Sequence, residues 1–439
     1  MNSPQAGTGR WLDAPGTRTA LALSAVAAAT VAVGLIVRGT GGILGTELPP
    51  FFLIWDPMAD ADAIKIWIPL FAVSLAGSVS LLRSGMRLGP FLVGAFLVAL
   101  GARLALAAAR EGTDGWYSVL GIDPEAGNEY LPALPALQPL GLGEFLDRFA
   151  ELSPTLPIHP SAHPPGTLVA IDAFGLDEPR KLAAVLIAAG TFAVPLTYAL
   201  GRRVGLDERQ SRAATMLLAF SPAAMLYGVV STDAMYATLG LLAAVLLLGS
   251  GWGSRILGGV ALAVASFFHW ALLALGAFAA IVALLRNGLR RAVDVAAIAG
   301  ICVLGFYAVL HGATGFDPIG AIGAAGDAYD LGISNARPYL FWLFGSPVAF
   351  AVALGLPTAW YAARSLGTGN EAAVALAAII AVSVLIGLTK AETERIWLFM
   401  GPLAAVAAAA LVPRERMKHV LAALAVQALA TSLLLETIW

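Results

Sequence analysis

The sequence is poor in charge and nearly devoid of cysteine. Only 12% of its 439 residues are charged and 59% are hydrophobic, whereas an ordinary soluble domain carries about 25% charged residues. This deficit excludes an ordinary soluble domain and predicts an integral membrane protein. The single cysteine, Cys302, excludes a disulfide framework or a cysteine metal site within the chain.

Short segments of alternating polarity, which characterise membrane β-barrels, are also missing. The apolar runs are continuous and rich in Ala and Leu, and they have the length at which a helix crosses a hydrocarbon core of about 30 Å. The sequence therefore predicts an all-α integral membrane protein, a polytopic bundle of about 13 transmembrane helices. The predicted spans are 20–37, 64–82, 88–109, 182–201, 211–227, 232–249, 256–268, 271–285, 292–311, 338–363, 371–388, 396–412 and 420–435.

Basic residues set the orientation of these spans. If the N-terminus lies inside, most Lys and Arg fall in short inner turns and most acids fall outside, as the positive-inside rule requires. This orientation predicts that 110–181 is a large extracytoplasmic loop carrying juxtamembrane helices. The inner basic residues include Arg83, Arg87, Arg202, Arg203, Arg209, Arg212, Arg286, Arg290, Arg291, Arg414, Arg416 and Lys418.

The segment 110–181 is the longest stretch too polar for lipid. It carries Asp123, Glu129 and Tyr130 near its start and two of the five histidines, His159 and His163, near its end. A connecting loop is usually polar in any case, so a purely structural role is the alternative to a catalytic one.

The two histidines are four residues apart among prolines at 157, 160, 164 and 165. Those prolines are expected to prevent a regular helix there, so a metal site built on that spacing is not predicted. We predict a rigid extended turn in which His163 could donate to a phosphate or a sugar hydroxyl. The alternative is a histidine that only caps the turn.

Three further polar residues lie where predicted spans begin or turn on the outer side. Asp233 follows Thr232, and either could simply cap a helix. His269 lies at the turn of a tight hairpin, 256–285, where a lone polar residue is often a satisfied core group. Arg337 precedes a span, and its alternative role is an interfacial anchor.

The densest cluster of charge is the turn 390–399, with Lys390, Glu394 and Arg395 between two apolar segments. Ionisable groups held close to the bilayer are costly and are functional candidates by default. Arg395 is the best candidate for a phosphate ligand, since guanidinium presents two parallel donors. An ion pair between Glu394 and Arg395 is the structural alternative.

The order of these elements resembles the GT-C superfamily of integral-membrane glycosyltransferases, in particular its branch with protein O-mannosyltransferases and lipid A aminoarabinose transferases. The resemblance covers residues 88–412. The motifs that carry it are Asn128-Glu129-Tyr130, His163-Pro164-Pro165-Gly166, Arg202-Arg203, Thr232-Asp233, the hairpin at His269 and Glu394-Arg395-Ile396-Trp397.

In that family an acid near the start of the first outer loop acts as a base, so the resemblance implies Glu129 or Asp123 as the catalytic carboxylate. Asn128-Glu129 stands where the family usually has Asp-Glu, which leaves the choice open. Asp56, in an earlier outer loop with Asp60 and Asp62, is a third candidate, but its loop lacks a His-Pro-Pro ending.

The resemblance also implies the organisation of the chain. We expect one GT-C-like transmembrane domain over 1–439, with two extra N-terminal spans in 20–87, a core over 88–412 and a catalytic loop at 110–181. The Ala-, Gly- and Arg-rich composition is typical of a high-GC bacterium, and actinobacterial cell envelopes contain many such transferases. The expected location is the cytoplasmic membrane, with an extracytoplasmic active site.

The function that follows is transfer of a sugar, mannose or another pentose or hexose, from a polyprenyl-phosphate donor to a cell-envelope glycolipid, glycan or protein. Glu129 would take the acceptor's proton, and Arg395, Lys390 and His163 would hold the phosphate. A divalent metal ion could assist but is not required, and no nucleic-acid partner is expected. The rival prediction is a transporter or flippase of lipid-linked sugars. The remaining candidates for substrate binding are Tyr130, His159, Asp233, His269, Arg337 and Glu394.

Overall fold

The computed structural model describes residues 14–58, 61–83, 85–332, 336–387 and 389–437. These residues are mostly helical, with one two-stranded sheet, so the all-α prediction is confirmed. Asp60 lies outside the described residues. The first elements are α1 (Thr17–Gly39), β1 (Leu53–Trp55), α2 (Ala61–Arg83) and α3 (Leu88–Glu111).

The segment after α3 forms short helices. The α-helices there are α4 (Ser118–Gly121), α5 (Leu134–Leu137), α6 (Gly141–Asp147), α7 (Phe149–Leu152), α8 (Ile158–Ala162) and α9 (Gly166–Ala173), and the 3₁₀ turns are Gly112–Asp114, Pro124–Asn128, Leu131–Ala133 and Ser153–Thr155.

The rest of the chain returns to longer helices. They are α10 (Pro179–Thr191), α11 (Ala193–Arg203), α12 (Glu208–Ala219), α13 (Pro222–Val230), α14 (Asp233–Leu247), α15 (Trp252–Phe268), α16 (Leu273–Asn287), α17 (Leu289–Thr314), α18 (Pro318–Leu331), α19 (Tyr339–Ala353), α20 (Leu356–Gly367), α21 (Glu371–Ile386), α22 (Thr393–Ile396), α23 (Gly401–Ala409) and α24 (Met417–Leu434). The strand β2 (Leu435–Thr437) then pairs antiparallel with β1, Leu53 facing Thr437.

Seven helical segments of the described chain are long and apolar enough to cross a membrane, or up to nine if each of two bent pairs is one span. The bent pairs are α12 with α13, at 51°, and α19 with α20, at 118°. The predicted spans 211–227 and 338–363 are thus each broken, because proline and its neighbours interrupt the helix at both places. The predicted number of about 13 spans also counts shorter apolar helices, of 10–17 residues, and stays a prediction.

The turns between helices gather at two opposite ends of the bundle. At one, the basic end, arginines donate to carbonyls of neighbouring turns: Arg212 to Met86, Arg286 to Arg203, Arg291 to Gly249 and Arg364 to Pro15. At the other, the loop end, the contacts are Arg110 to Asp56, Phe52 to Glu394, Arg337 to Lys390 and Arg395 to Asp233. The predicted inner and outer turns are therefore separated in space.

The segment 110–178 packs at the loop end around an apolar core that it shares with α10, α17 and α18. In α6 and α7, Phe145 and Phe149 are buried in this core while Glu144 is exposed. The apolar stretch after Gly166 forms α9, which at 8 residues is too short to span.

One local prediction needs correction. The prolines around His159 were expected to prevent a regular helix, yet α8 forms one turn there. Pro160 falls within the first turn of α8, where its missing N–H would have had no partner. His163 follows in an extended conformation, as predicted, with φ of −117° and ψ of 158°.

Close packing in the bundle depends on small residues. A Cβ on Gly190 of α10 would lie 2.5 Å from Cβ of Ala234 and 3.0 Å from its carbonyl carbon, on α14. We predict that Gly190→Ala lowers the free energy of unfolding by about 1–3 kcal/mol, because backbone must shift to admit the methyl group.

The measurement is thermal unfolding of the purified protein in detergent. Gly300→Ala is the matched control: Gly300 lies in α17 with open space around the added Cβ, so its melting temperature should be unchanged or higher. Equal melting temperatures for the two variants would contradict the close approach of α10 and α14.

Candidate functional site

Buried polar side chains gather in one cluster at the loop end. The cluster forms where both ends of the 110–178 segment meet three other places: the start of α14, the break between α15 and α16, and the turn before α22. These parts of the chain are far apart in sequence, so the cluster is a product of the tertiary fold.

Arg395 and Asp233 form the central ion pair of this cluster. Nη1 of Arg395 donates to Oδ2 of Asp233 at 3.1 Å, and the two side chains are 5% and 3% exposed. The hydroxyl of Ser231 donates to the same carboxylate oxygen at 2.6 Å. Asp233 therefore does more than begin a helix, and Thr232, at the N-cap of α14, makes no side-chain capping bond.

Glu392 connects this pair to a second arginine. Its carboxylate lies 3.4 Å from Nη2 of Arg395 and accepts a hydrogen bond from Nη2 of Arg337 at 2.9 Å. Arg337 is buried and also donates to the carbonyl of Lys390 at 2.6 Å. Arg337 thus belongs to a buried charge network.

The turn that carries Glu392 has an unusual backbone. Ala391 and Glu392 have φ of 68° and 61°, in the left-handed region that residues with a side chain seldom adopt. Such conformations cost free energy, and the surrounding contacts must hold them in place. Here Arg337 supplies those contacts, to the Lys390 carbonyl and to the Glu392 carboxylate.

Glu394 has a different partner from the one expected. Its Oε1 accepts a hydrogen bond from the backbone N–H of Phe52 at 2.8 Å, while Arg395 pairs with Asp233 and Glu392. Burial raises the pKa of Glu394 to about 7. Glu394 therefore ties α22 to the residue before β1.

Two tyrosines and two histidines form the next layer. The Tyr130 hydroxyl is hydrogen-bonded to Nδ1 of His163 at 2.5 Å and to the Tyr236 hydroxyl at 2.9 Å, and Tyr236 reaches the Thr167 hydroxyl at 2.7 Å. The ring centre of His269 lies 4.4 Å from that of His163. The two histidine rings are thus in contact although they are far apart in sequence.

Burial also sets the charge of the loop histidines. It lowers the pKa of His159 and of His163 well below the ordinary value, and the positive charge of Arg395 acts in the same direction. Both imidazoles are therefore neutral at pH 7. Nδ1 of His159 lies 3.9 Å from Oε1 of Glu129.

Glu129 is a carboxyl group in an unfavourable place for its charge. It is 3% exposed, and burial raises its pKa to about 8, against the attraction of Arg395 and with the repulsion of Asp233 and Glu125. Its Oε2 has no hydrogen-bond partner among the described residues. A carboxyl so placed can take a proton near neutral pH.

The other acids proposed as bases have separate partners. Asp123 accepts a hydrogen bond from the N–H of Glu125 and borders a cavity of about 290 Å³, which Arg110 and Glu111 also line. Asp56 is paired with Arg110 at 2.5 Å. Asp62 forms an exposed pair with Lys65.

Lys390 contributes its backbone to the site. Its N–H donates to the Tyr329 hydroxyl at 2.9 Å, and its carbonyl accepts from Arg337. The lysine is partly buried. It lies in the same turn as Glu392, near Arg337 and Arg395.

Sequence reasoning missed three residues of the cluster. Tyr236 is three residues after Asp233 and so shares a face of α14 with it. Glu392 precedes Arg395 by the same spacing, and Thr167 is four residues beyond His163. Helical spacing from Asp233 would have suggested Tyr236, whereas Thr167 follows the extended residue His163 and Glu392 precedes α22, so only the tertiary structure shows their roles.

Among the residues that the structure describes, no group of three or more His, Cys, Asp or Glu side chains is arranged to hold a metal ion. The cluster combines two carboxyl groups of raised pKa, Glu129 and Glu394, with a buried arginine network and neutral imidazoles. Such a set can remove a proton from one reactant and stabilise negative charge on another.

Comparisons with known proteins do not place the chain in a family. No protein-family model matches it, and no curated protein matches it significantly.

Proposed function

We propose that the protein is a membrane glycosyltransferase of the GT-C type, which transfers a sugar from a polyprenyl-phosphate donor to a hydroxyl acceptor. The observation that carries the proposal is the presence of Glu129 and Arg395 in one buried cluster. A carboxyl group with a pKa of about 8, and with one oxygen that has no hydrogen-bond partner among the described residues, lies in the field of a fixed guanidinium. These are the two groups that the transfer needs, a base and a phosphate ligand.

The reaction is a single displacement. The acceptor oxygen forms a bond to the anomeric carbon as the bond from that carbon to the phosphate oxygen breaks, and the electron pair leaves with the phosphate. Glu129 takes the acceptor's proton, so the products are the glycoside, polyprenyl phosphate and a protonated Glu129. Arg395, with Lys390 and His163 beside it, stabilises the charge that the phosphate gains.

The phosphate would replace the weaker contact of Arg395. The Asp233 contact is 3.1 Å and the Glu392 contact 3.4 Å, and Glu392 keeps Arg337 as a partner if Arg395 turns to a ligand. Asp233 would then hold one edge of the guanidinium while the other meets the phosphate.

The proposal includes an arrangement in the membrane. About 13 spans cross the cytoplasmic membrane of a bacterium, the loop end faces outward, and 110–181 is the catalytic loop. The gathering of predicted inner and outer turns at opposite ends of the bundle supports this topology. The prenyl tail lies between helices, and the acceptor is a cell-envelope glycolipid, glycan or protein.

A transporter or flippase of lipid-linked sugars is the second candidate. The two bent helix pairs favour it, because broken helices are common in transporters. The distinguishing experiment is reconstitution of the purified protein with a polyprenyl-phosphate sugar. Release of polyprenyl phosphate that depends on an acceptor supports the transferase, and movement of intact donor between leaflets supports the carrier.

The topology gives the first prediction of this proposal. In a Cys302→Ala background, a cysteine replacing the exposed Glu144 should react with an impermeant thiol reagent in intact cells. A cysteine replacing the exposed Glu415, at the basic end, should react only after the membrane is opened. The reverse pattern would place the cluster on the cytoplasmic side and contradict the mechanism.

The second prediction concerns Arg395. Arg395→Lys keeps the charge but loses the planar pair of donors, so apparent donor binding should weaken by about 1–3 kcal/mol. The measurement is the initial rate at limiting donor concentration. Arg148→Lys, in an exposed ion-paired site on the loop surface, is the control and should behave as wild type. Full activity of Arg395→Ala would reduce this arginine to a structural role.

The third prediction concerns Glu129. With its pKa raised to about 8, the group is mostly protonated below that pH, so kcat/KM should rise with pH and level off above about 8. Glu129→Gln keeps the shape, removes the base and should lower the rate by about 10²–10⁴-fold. The rise around pH 8 should disappear with it.

Asp123→Asn is the matched control for Glu129, because it changes an acid of the same loop in the same way. We expect it to retain both the rate and the pH profile. Normal turnover of Glu129→Gln with an inactive Asp123→Asn would move the base to Asp123. Normal turnover of both variants would direct attention to Asp56.

A further inference from the structure

The proton on His269 has a fixed position. Its Nδ1 accepts a hydrogen bond from the backbone N–H of Ala271 at 3.0 Å. A nitrogen that accepts carries no proton, so the imidazole is neutral and its proton is on Nε2. His269 is 9% exposed, and Nε2 has no hydrogen-bond partner within the described part of the chain. A buried donor without an acceptor is unfavourable, which points to a ligand.

The hydrogen bonds around His163 assign it the same tautomer. Between Tyr130 and His163 the phenol is the stronger donor and the imidazole nitrogen the stronger acceptor, so Tyr130 donates to Nδ1. The Tyr236 hydroxyl can then donate to Tyr130, and Thr167 to Tyr236. This chain of hydroxyls leaves the His163 proton on Nε2.

The two imidazoles are close enough to share a ligand atom. Their ring centres are 4.4 Å apart, and each N–H can reach an acceptor about 2.9 Å from its own nitrogen. One acceptor oxygen can therefore be within reach of an N–H from each ring. Tyr236, which contacts both rings, limits their rotation.

We propose that His163 and His269 form an uncharged two-donor site that binds an oxygen of the donor's phosphate group. The inference rests on the proposed function and makes it specific. The charge of Arg395 is already offset by Asp233 and Glu392, so neutral donors can add hydrogen bonds to the phosphate without adding positive charge. The site would favour an oxygen that only accepts, as a phosphate oxygen does.

The first experiment reads the protons directly. The protein is labelled with ¹⁵N-histidine, placed in lipid nanodiscs and titrated with a short-chain prenyl monophosphate. The chain has only 5 histidines, so their signals are assigned from single substitutions. We expect the Nε2–H tautomer for both His163 and His269, and a shift of both N–H signals on binding. An Nδ1–H tautomer at His269, or saturable binding without a shift there, would overturn the proposal.

The second experiment measures affinity in matched variants. His269→Leu removes the donor and keeps the bulk, and should bind the prenyl monophosphate about 10- to 100-fold more weakly. His269→Gln retains an amide N–H and should recover much of the loss. His419→Leu, at the exposed start of α24, is the control and should bind as wild type. The corresponding prenyl alcohol, which shares the tail but not the phosphate, should bind all four proteins equally.

The outcomes separate this inference from the proposed function. If the wild-type protein binds the prenyl monophosphate and both His269→Leu and His269→Gln bind it equally well, the two-histidine site is wrong. The proposed transferase function would be unaffected by that result. If His269→Leu weakens binding of the prenyl monophosphate and of the prenyl alcohol equally, the two-histidine site is also wrong, because the defect would then lie where the prenyl tail binds. A wild-type protein that binds no prenyl monophosphate would refute both.

Discussion

The buried pair of Arg395 and Asp233 is the interaction on which the loop end depends. The two residues are 162 positions apart, and neither charge is stable in an apolar bundle without the other. Removing one partner of such a pair typically costs about 3–5 kcal/mol, because the other is left as an uncompensated charge. The pair therefore holds the start of α14 against α22, and Glu392 and Arg337 extend that constraint to the residues before α19.

The burial that makes this ion pair necessary also sets the protonation states of Glu129 and of the loop histidines. Removal of water raises the pKa of Glu129 and lowers the pKa of His159 and His163, since in each case the charged form loses hydration. A base that can be protonated near neutral pH and imidazoles that stay neutral follow from one physical cause. The remaining charges are those of the two arginines and their carboxylate partners, and a phosphate can take the place of Glu392 at Arg395.

The apolar bundle provides this buried environment while requiring a specific residue at few positions. Its core is dominated by Ala and Leu, and small residues such as Gly190 and Ala234 let helices approach closely. Few positions need a specific polar residue, which is why the scarce histidines and arginines at the loop end were informative. Of the 5 histidines, three lie in the cluster or against it.

The sequence by itself determined the helical class, the approximate positions of the long apolar helices and the grouping of basic residues in particular turns. These are properties of composition and of local apolar runs, which act within one helix length. It also supplied most members of the cluster, because polar residues next to lipid are rare enough to be noticed.

Only the tertiary structure decided which of those residues meet. Arg395 contacts Asp233 and Glu392, Glu394 turns to Phe52, and Tyr236 joins Tyr130 to Thr167. Asp123 and Glu129 look alike in sequence, yet one caps a turn and the other is buried beside a guanidinium. Such choices depend on distances between helices that are remote along the chain, and no local pattern encodes those distances.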